Sequence, residues 1–541
     1  MKRIFVSILA AALLISAGAQ AGTIKGKVTC GGKPVKGVFV SDGLDIVKTG
    51  ARGEYTLKSD KRQGFVFVIS PSGYTVPLMD GLQPKFYAHL TEPSGVTEVH
   101  DFELVEQNQD RYTVIFATDI HIKNNPQLHD KELVRKYLIP HVREQYQKNL
   151  ADGPVFMMNL GDLAHDKDWY NFDWNIEKAY NFLRDEGYPG PLYSVMGNHD
   201  NDGATTATPQ HPDEDFNAEW LYRKAMGPTY YSMNIGNDHW VMLDNIRYVN
   251  TPAKSKDLNI AGKRDYTIGL TSDEMEWLKK DLATVPEGTN VRVCSHASFL
   301  FEFPAGKGTQ FTSNEEMDEV YGMFTHFGTM KAYTGHTHRF QFARNERYPL
   351  VRDLMIPAVS GNVWANGENQ MLGIDACDAG IIICHFRGNE VKDEYLTHVY
   401  GEKWMRTYDM NAVQKYFQTD EVSASRLSGS PEWTDYGKGD RKNMVYANIW
   451  MWRPEYTVEM YENGKKLTVE KVDESDPLLL ISPITNKTFF KQQKFVVCHH
   501  LFRARARKPK SKVRIVLRDE TGRIVHETVM TRPKAFSTTT E

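Results

Sequence analysis

Polar and apolar positions along this chain follow three different rhythms. Residues 22–105 alternate in short runs, at 23–28, 37–41, 54–57 and 65–70, separated by Gly, Pro and Asp turns. Successive residues of a strand face opposite sides, so this pattern predicts half-buried strands and no helix. From about residue 110 the rhythm switches. Strand-like apolar runs at 112–117, 155–160, 192–196, 240–243, 291–294 and 331–333 are interleaved with helix-period segments at 130–149, 174–186 and 272–283. Ser272 and the acidic residues Glu274 to Glu276 supply an N-terminal signal for the last of these. Strand–helix alternation at this spacing predicts α/β layers. Beyond about residue 400 the helical signal fades. Strands are predicted at 445–452, 457–462, 465–469 and 513–518, with turns at Asn463-Gly464 and near Thr521-Gly522.

Length agrees with three units, since 541 residues at roughly 100–200 per domain suggest about three. The first residues stand apart. Lys2 and Arg3 precede an apolar run at 4–15, too short to span a bilayer, and Ala19 and Ala21 fit a small-x-small cleavage rule. The expected organisation is a signal peptide at 1–21, a β-sandwich module at 22–105, an α/β domain at 106–399 and a second β-sandwich module at 400–541. The mature protein is expected to be exported, periplasmic or secreted, without a transmembrane segment.

Charge changes the picture little. Lys and Arg number 65 against 69 Asp and Glu, a net −4, which offers no global attraction for nucleic acid. The densest basic run, 503–512, falls in the last module and reads as a solvated strand edge. Five scattered cysteines cannot form a disulfide scaffold; most read as small buried apolar residues.

The candidate chemistry lies just beyond the ends of five predicted strands. These ends carry Asp119-Ile120-His121, Gly161-Asp162, Gly197-Asn198-His199-Asp200, Ser295-His296 and Gly335-His336-Thr337-His338. Ligands of α/β sheets bind at the carboxyl edge of the strands. Carboxylate, imidazole and amide oxygen together suit Mn, Fe, Zn or Co. Seven such donors are too many for one ion and suit two, with one carboxylate shared. A D-x-H triplet or a Gly-Asp pair alone is a common solvated turn; the ordered set is specific.

That set resembles the calcineurin-like metallophosphoesterase superfamily, whose order is D-x-H, GD, GNH(D/E), a lone His and GHxH. The likeness reaches outside the motifs. GPTYYSMNIGNDHWVMLDN at 227–245 looks like the strand pair after GNHD in exported bacterial members, and EMEWLKKDL at 274–282 also fits them. NIWMWRPEYTVEMYENGKK at 448–466 is similar to a C-terminal module of one exported subfamily, and GEYTLK at 53–58 resembles a strand of carboxypeptidase-regulatory-like modules. The resemblance implies a four-layer α/β/β/α sandwich flanked by two β-sandwich domains. It also implies hydrolysis of a phosphate mono- or diester by a metal-bridging hydroxide.

Roles follow motif by motif as the resemblance implies them. Asp119, His121 and His338 would hold one divalent ion, Asn198, His296 and His336 a second, and Asp162 would bridge. His199 would face the substrate, with Asn198 beside it, and serve the leaving oxygen. Asp200 would support the loop or the catalytic set. His165, three residues after Asp162, would assist His199 as in GD-x-x-H nucleases, or be a surface histidine beside Asp166 and Asp168. Purple acid phosphatases carry a ligating Tyr at that position, so their iron–tyrosinate site is not expected. The run 375–380 departs from the subfamily's Pro-Asn-Gly-Tyr-like segment. Residues 360–364, Trp169 and Tyr170 are candidates to line the pocket, while His499 and His500 read as non-catalytic. The expected substrate is a small-molecule, lipid or glycan phosphoester. Two alternatives stay open: a 5′-nucleotidase-like hydrolase, disfavoured by GNHD and a short tail, and a non-catalytic envelope- or glycan-binding protein.

Overall fold

The computed structural model describes residues 22–539 except 127–128, 206–212, 252–262, 304–305, 310–312, 362–363, 365–370, 389, 399–403, 422, 424–430, 451 and 483–496. The expected signal peptide and its cleavage site lie outside the described residues. Among those described, no helix is long and apolar enough to cross a membrane.

The central region holds two mixed sheets. In the first, Leu192–Ser194, Val155–Asn159 and Arg111–Ala117 run parallel, and Gly380–Arg387 and Glu390–His398 continue antiparallel. In the second, Asp238–Met242, Asn290–Cys294, Met330–Thr334 and Val351–Met355 run parallel between two antiparallel edge strands, Tyr231–Ile235 and Gln341–Ala343. Strand periodicity assigns each face. Val114 and Phe116 join one core with Phe156 and Met158, while Ile115 and Ala117 join another with Val155 and Met157. The first core lies between the sheets, where the Phe116 and Tyr333 rings stack at 4.4 Å. The second packs against the helices Ile139–Asn149 and Ile176–Asp185. Helices Ser272–Leu282 and Asn314–Phe324 add their apolar stripes to the first core.

Several helix details differ from expectation. The 130–149 segment is helical throughout but loosens to a π-turn at Val134–Leu138 just before Pro140. Proline has no N–H to continue the ladder, and a wider turn accommodates it. The cap of Ser272–Leu282 is Thr271, whose side chain accepts from the Glu274 amide at 3.3 Å, rather than Ser272.

The first module is built from two sheets, one around Gly22–Cys30 and Phe102–Glu106, the other around Phe39–Ser41 and Phe65–Ile69. The last module also has two four-stranded sheets, yet it is not all β. Met410–Thr419 and Pro431–Lys438 are helices, and Met410, Val413 and Phe417 are buried. The signal was present as an i, i+3, i+7 stripe behind the N-cap Asp409. The expected strand at 445–452 ends at Asn448, and that at 465–469 splits into Lys465–Lys466 and Val469–Glu474. Asn463 and Gly464 both have positive φ, as a tight hairpin turn demands. All five cysteines are free thiols, and every one except Cys30 is buried.

Candidate active site

The two sheets face each other, so the carboxyl ends of their parallel strands meet at one edge. All five motifs converge there. Asp119, His121, Asp162, His336 and His338 have φ between 48° and 64°, the left-handed region that non-glycine residues avoid. Such turns cost about 1 kcal/mol or more each and persist where surrounding structure enforces them. Here the enforcement is a continuation of the ladder past the strand ends, with the Asp119 amide on Gly161 O and the His121 amide on Asp162 O. Glycine is required beside these residues for space. A Cβ on Gly197 would collide with Asp162, and one on Gly335 with Thr118 Oγ1 and Asp119.

The donors form two groups, Asp119 with His121 and His338, and Asp162 with His296 and His336. In the first, His338 Nε2 lies 3.2 Å from Asp119 Oδ1 and 3.1 Å from His121 Nε2. In the second, His296 Nε2 lies 3.3 Å from Asp162 Oδ2 and 3.1 Å from Asn198 Oδ1. Asp162 Oδ2 is also 3.6 Å from His121 Nε2, so one oxygen faces both groups. Metal–ligand bonds of about 2.0–2.2 Å place neighbouring donors roughly 3–3.5 Å apart, the spacing seen here.

Outer partners fix which ring nitrogen faces inward. His296 Nδ1 donates to Leu160 O at 2.7 Å and His338 Nδ1 to Gly361 O at 2.9 Å, leaving both Nε2 atoms toward the donors. Asp119 Oδ1 is buried without a hydrogen-bond partner, an expensive condition that a cation would relieve. Burial pushes the His121 imidazole well down, and it pushes His336 down to about 3 with help from His296. Burial alone would raise both aspartates. The imidazoles of His338 and His296 outweigh it at Asp119, and those of His296, His199 and His121 outweigh it at Asp162, so both carboxyls sit below their usual range. Burial would also lower His296, but the Asp162 carboxylate outweighs it and raises that imidazole to about 9, so a cation bound there would displace its proton, since neutral imidazole and ionised carboxylate are the forms that bind cations.

His199 stands beside the first group, its ring 5.2 Å from that of His121. Its Nδ1 is 2.8 Å from Asp166 Oδ1, and its amide donates to Asp162 Oδ1 at 2.7 Å. His165 stacks on the His199 ring at 4.2 Å and is no isolated surface histidine. Asp200, one of the expected catalytic residues, is fully buried, and its carboxylate accepts from the amides of Asp162, Gly197 and Ala164. It fastens two motif loops together, the loop support that the motif implied.

The pocket candidates are corrected in part. Trp364 is buried and donates to Ile120 O beneath the D-x-H loop, and Trp169 is buried in the helix-side core. Gly361 serves His338 through its carbonyl, and Asn362 and Val363 lie outside the described residues. Tyr170 is exposed, its hydroxyl held by Asp202. His500 is buried against Asp375, away from the donors.

Three residues that no motif marks complete the site. Asp166 follows the expected His165 and takes the role of orienting His199. Asp353 accepts from Ser298 Oγ and the amides of Phe299 and Leu300 with one oxygen and from Thr334 Oγ1 with the other, pinning the lone-His loop to the strand before GHTH. Tyr266, on a hairpin far from any motif, places its hydroxyl 3.0 Å from His336 Nε2. Only an adjacent alternation of polar and apolar residues marks its strand in sequence.

Two groups of carboxylate and imidazole donors, set at the joined edges of two mixed sheets, are candidate metal sites. The chain belongs to the calcineurin-like phosphoesterase family. The family's catalytic model matches residues 112–340, with models for its N-terminal part at 22–107 and its C-terminal part at 354–524. No curated protein sequence matches the chain. Among solved structures, a putative 5′-nucleotidase from Staphylococcus aureus matches at 13% identity and TM-score 0.29, over 54% of this chain and 55% of its own. The calcineurin-like phosphoesterase YfkN from Bacillus subtilis matches at 13% identity and TM-score 0.26, over 59% of this chain and 99% of its own. GAP50, the anchor in the inner membrane complex of Plasmodium, matches at 12% identity and TM-score 0.30, over 54% and 86%. This chain thus spans about half the length of the first of these.

Proposed function

We propose that the protein is an exported dinuclear-metal phosphoesterase that hydrolyses a phosphate mono- or diester. The observation that carries this reading is the single Asp162 oxygen facing both donor groups at 3.3 and 3.6 Å. The spacing of the other donors and the unpartnered Asp119 oxygen fit divalent cations at both groups. When bound, two such ions supply water activation and neutralise phosphoryl charge; Mn, Fe, Zn and Co all suit these ligands.

The chain's own residues do the rest. Asp119, His121 and His338 would hold the first ion and Asn198, His296 and His336 the second, with Asp162 facing both. Asn198 also borders the substrate. Asp166 holds His199 at Nδ1, so Nε2 faces the leaving oxygen, and the doubly protonated ring, its charge balanced by Asp166, gives that oxygen the Nε2 proton and is left neutral. His165 supports that ring face to face, and Asp200 positions the Asp162 and Asn198 loops. The α/β/β/α layer order, the division near residues 106 and 400, and export after cleavage behind Ala21 belong to the same proposal. The packing faces, the change of rhythm and the Ala19/Ala21 pattern support them respectively.

The test is hydrolysis of p-nitrophenyl phosphate and bis-p-nitrophenyl phosphate after chelation and addition of Mn, with metal content measured on the same protein. Turnover with about two ions per chain is expected. His199→Ala should keep its metal and lose about 10²–10⁴-fold in turnover, and Asp162→Asn should disturb both ions. No hydrolysis of either ester together with no bound metal would sink the proposal.

A further inference from the structure

Tyr266 is unused in that scheme, yet its hydroxyl is one hydrogen bond from a candidate ligand atom. The O–H lies 3.0 Å from His336 Nε2, and the phenol ring stands edge-on to the imidazole at 5.5 Å and 84°. This placement is built. Tyr266 lies on the second strand of a hairpin, Ile246–Thr251 with Lys263–Ile268, paired opposite Tyr248. The Tyr248 amide donates to Asp215 Oδ1 at 2.6 Å, and its hydroxyl donates to Gly203 O at 3.1 Å. At the hairpin's root, Asn245 exchanges two hydrogen bonds with Ala297, the residue after His296, at 2.8 and 3.0 Å. At the same root, the Gly269 amide donates to Asn245 O and the Leu270 amide to Glu316 Oε1. The hairpin is therefore registered against the loop that carries one of the second group's own donors.

Two protein donors then flank the site from opposite groups. His199 stands next to His121 of the first, and Tyr266 next to His336 of the second. A phosphoryl group has one leaving oxygen and several non-bridging oxygens. His199 is committed to the former. A phenol has an O–H to donate and no charge to repel a phosphate.

We propose that Tyr266 is a catalytic residue of the phosphoesterase site, donating its O–H to a non-bridging phosphoryl oxygen of substrate and of product phosphate. This rests on the function proposed above. It makes the hairpin part of the site for the phosphoryl group common to all candidate substrates.

The experiment compares wild type, Tyr266→Phe and His199→Ala, all metal-loaded. Metal content is measured first, then binding of inorganic phosphate by calorimetry, then hydrolysis of aryl phosphates with leaving groups of graded pKa. Losing a hydrogen bond to a charged oxygen should weaken phosphate binding by about 10- to 100-fold in Tyr266→Phe, with the wild-type metal content retained. Its loss of turnover should be the same for every leaving group, whereas that of His199→Ala should grow as the leaving group becomes more basic. Three results overturn the proposal: unchanged phosphate binding, loss of one ion (which makes Tyr266 a metal ligand), or a Tyr266→Phe defect that tracks leaving-group pKa. Phosphate that binds wild type but hydrolysis that never occurs leaves the Tyr266 contact standing and removes the phosphoesterase reading instead. Wild type that binds no phosphate removes both.

Discussion

The two flanking modules meet the central region with a different balance of contacts. The first shares its apolar core and adds buried hydrogen bonds, from Tyr230 Oη to Gly43 O and from Gln83 Nε2 to Met226 O, both at 2.7 Å. Phe67 packs its ring edge against Trp277 at 6.2 Å, Phe86 lies 4.5 Å from Tyr231, and all four belong to the core that runs between the two central sheets. The last module lends Trp450 to the central core and takes Leu372 into its own, and its directed ties are a set of buried polar groups close to the candidate site. His500 Nε2 meets Asp375 Oδ2 at 3.0 Å, Asn448 Nδ2 donates to Asp375 O, and Arg406 pairs with Asp378. Asp375 also accepts from the Phe340 amide, and the Ile374 amide donates to His338 O. An apolar joint is a sum of many small, non-directional contacts. A polar joint depends on a few directed ones, each costly to leave unmade. The second of these joints touches the loop that carries the candidate ligand His338.

Asp375→Ala should expose this difference most. It leaves His500 and the Phe340 and Cys377 amides without their acceptor, a cost of about 3–5 kcal/mol. Because the loop from His338 to Phe340 loses its tie, metal retention after dialysis should fall as well. A destabilised variant that keeps wild-type metal content and turnover would reduce this joint to a purely structural one.

Phe67→Ala is the matching cut in the apolar joint. Deleting a buried ring should cost about 3 kcal/mol in denaturant unfolding, while kcat and metal content of the folded protein stay unchanged. A change in kcat would mean that the apolar joint also reaches the site.

Acid should loosen the polar joint selectively. Burial opposes ionisation of Asp375, but His500 outweighs it and holds the carboxyl down at about 2. A carboxyl depressed in the folded state stabilises fully above the ordinary value near 4 and loses that contribution as pH falls toward 2. Roughly 2 kcal/mol should disappear across that window. Asp375→Asn should flatten this part of the stability–pH curve, and an unchanged curve would count against the pairing.

The smallest effect belongs to the exposed ion pairs on the first joint. Lys280 Nζ is 2.6 Å from Asp45 Oδ1, with both side chains about half exposed. Lys280→Ala should change unfolding free energy by less than about 1 kcal/mol. A larger loss would show that exposed pairs, and not only the buried contacts, hold this joint.

The motif-bearing strands of the central region were legible because they are short, strongly apolar runs such as Val155–Asn159 and each leads into a chemically distinctive pair, whereas the strands at Val351–Met355, Gly380–Arg387 and Glu390–His398 carry no motif and were not expected. Asp353, Asp166 and Tyr266 were not. A carboxylate that pins a loop, or a phenol delivered by a hairpin, has no partner at fixed spacing in sequence. The helices at Met410–Thr419 and Pro431–Lys438 were missed although Asp409 and the Met410, Val413, Phe417 stripe announced the first of them.

Sequence by itself determined the inventory: seven donors of the right chemistry, each just past a strand, in an order that resembles one family. Tertiary structure decided their partition. His336 and His338 are two residues apart and go one to each group, while Asp119 and His121 at the same spacing share a group. Local spacing is identical in the two cases. What differs is the neighbouring strand end against which each turn is held, and only the packing of one sheet on the other fixes that.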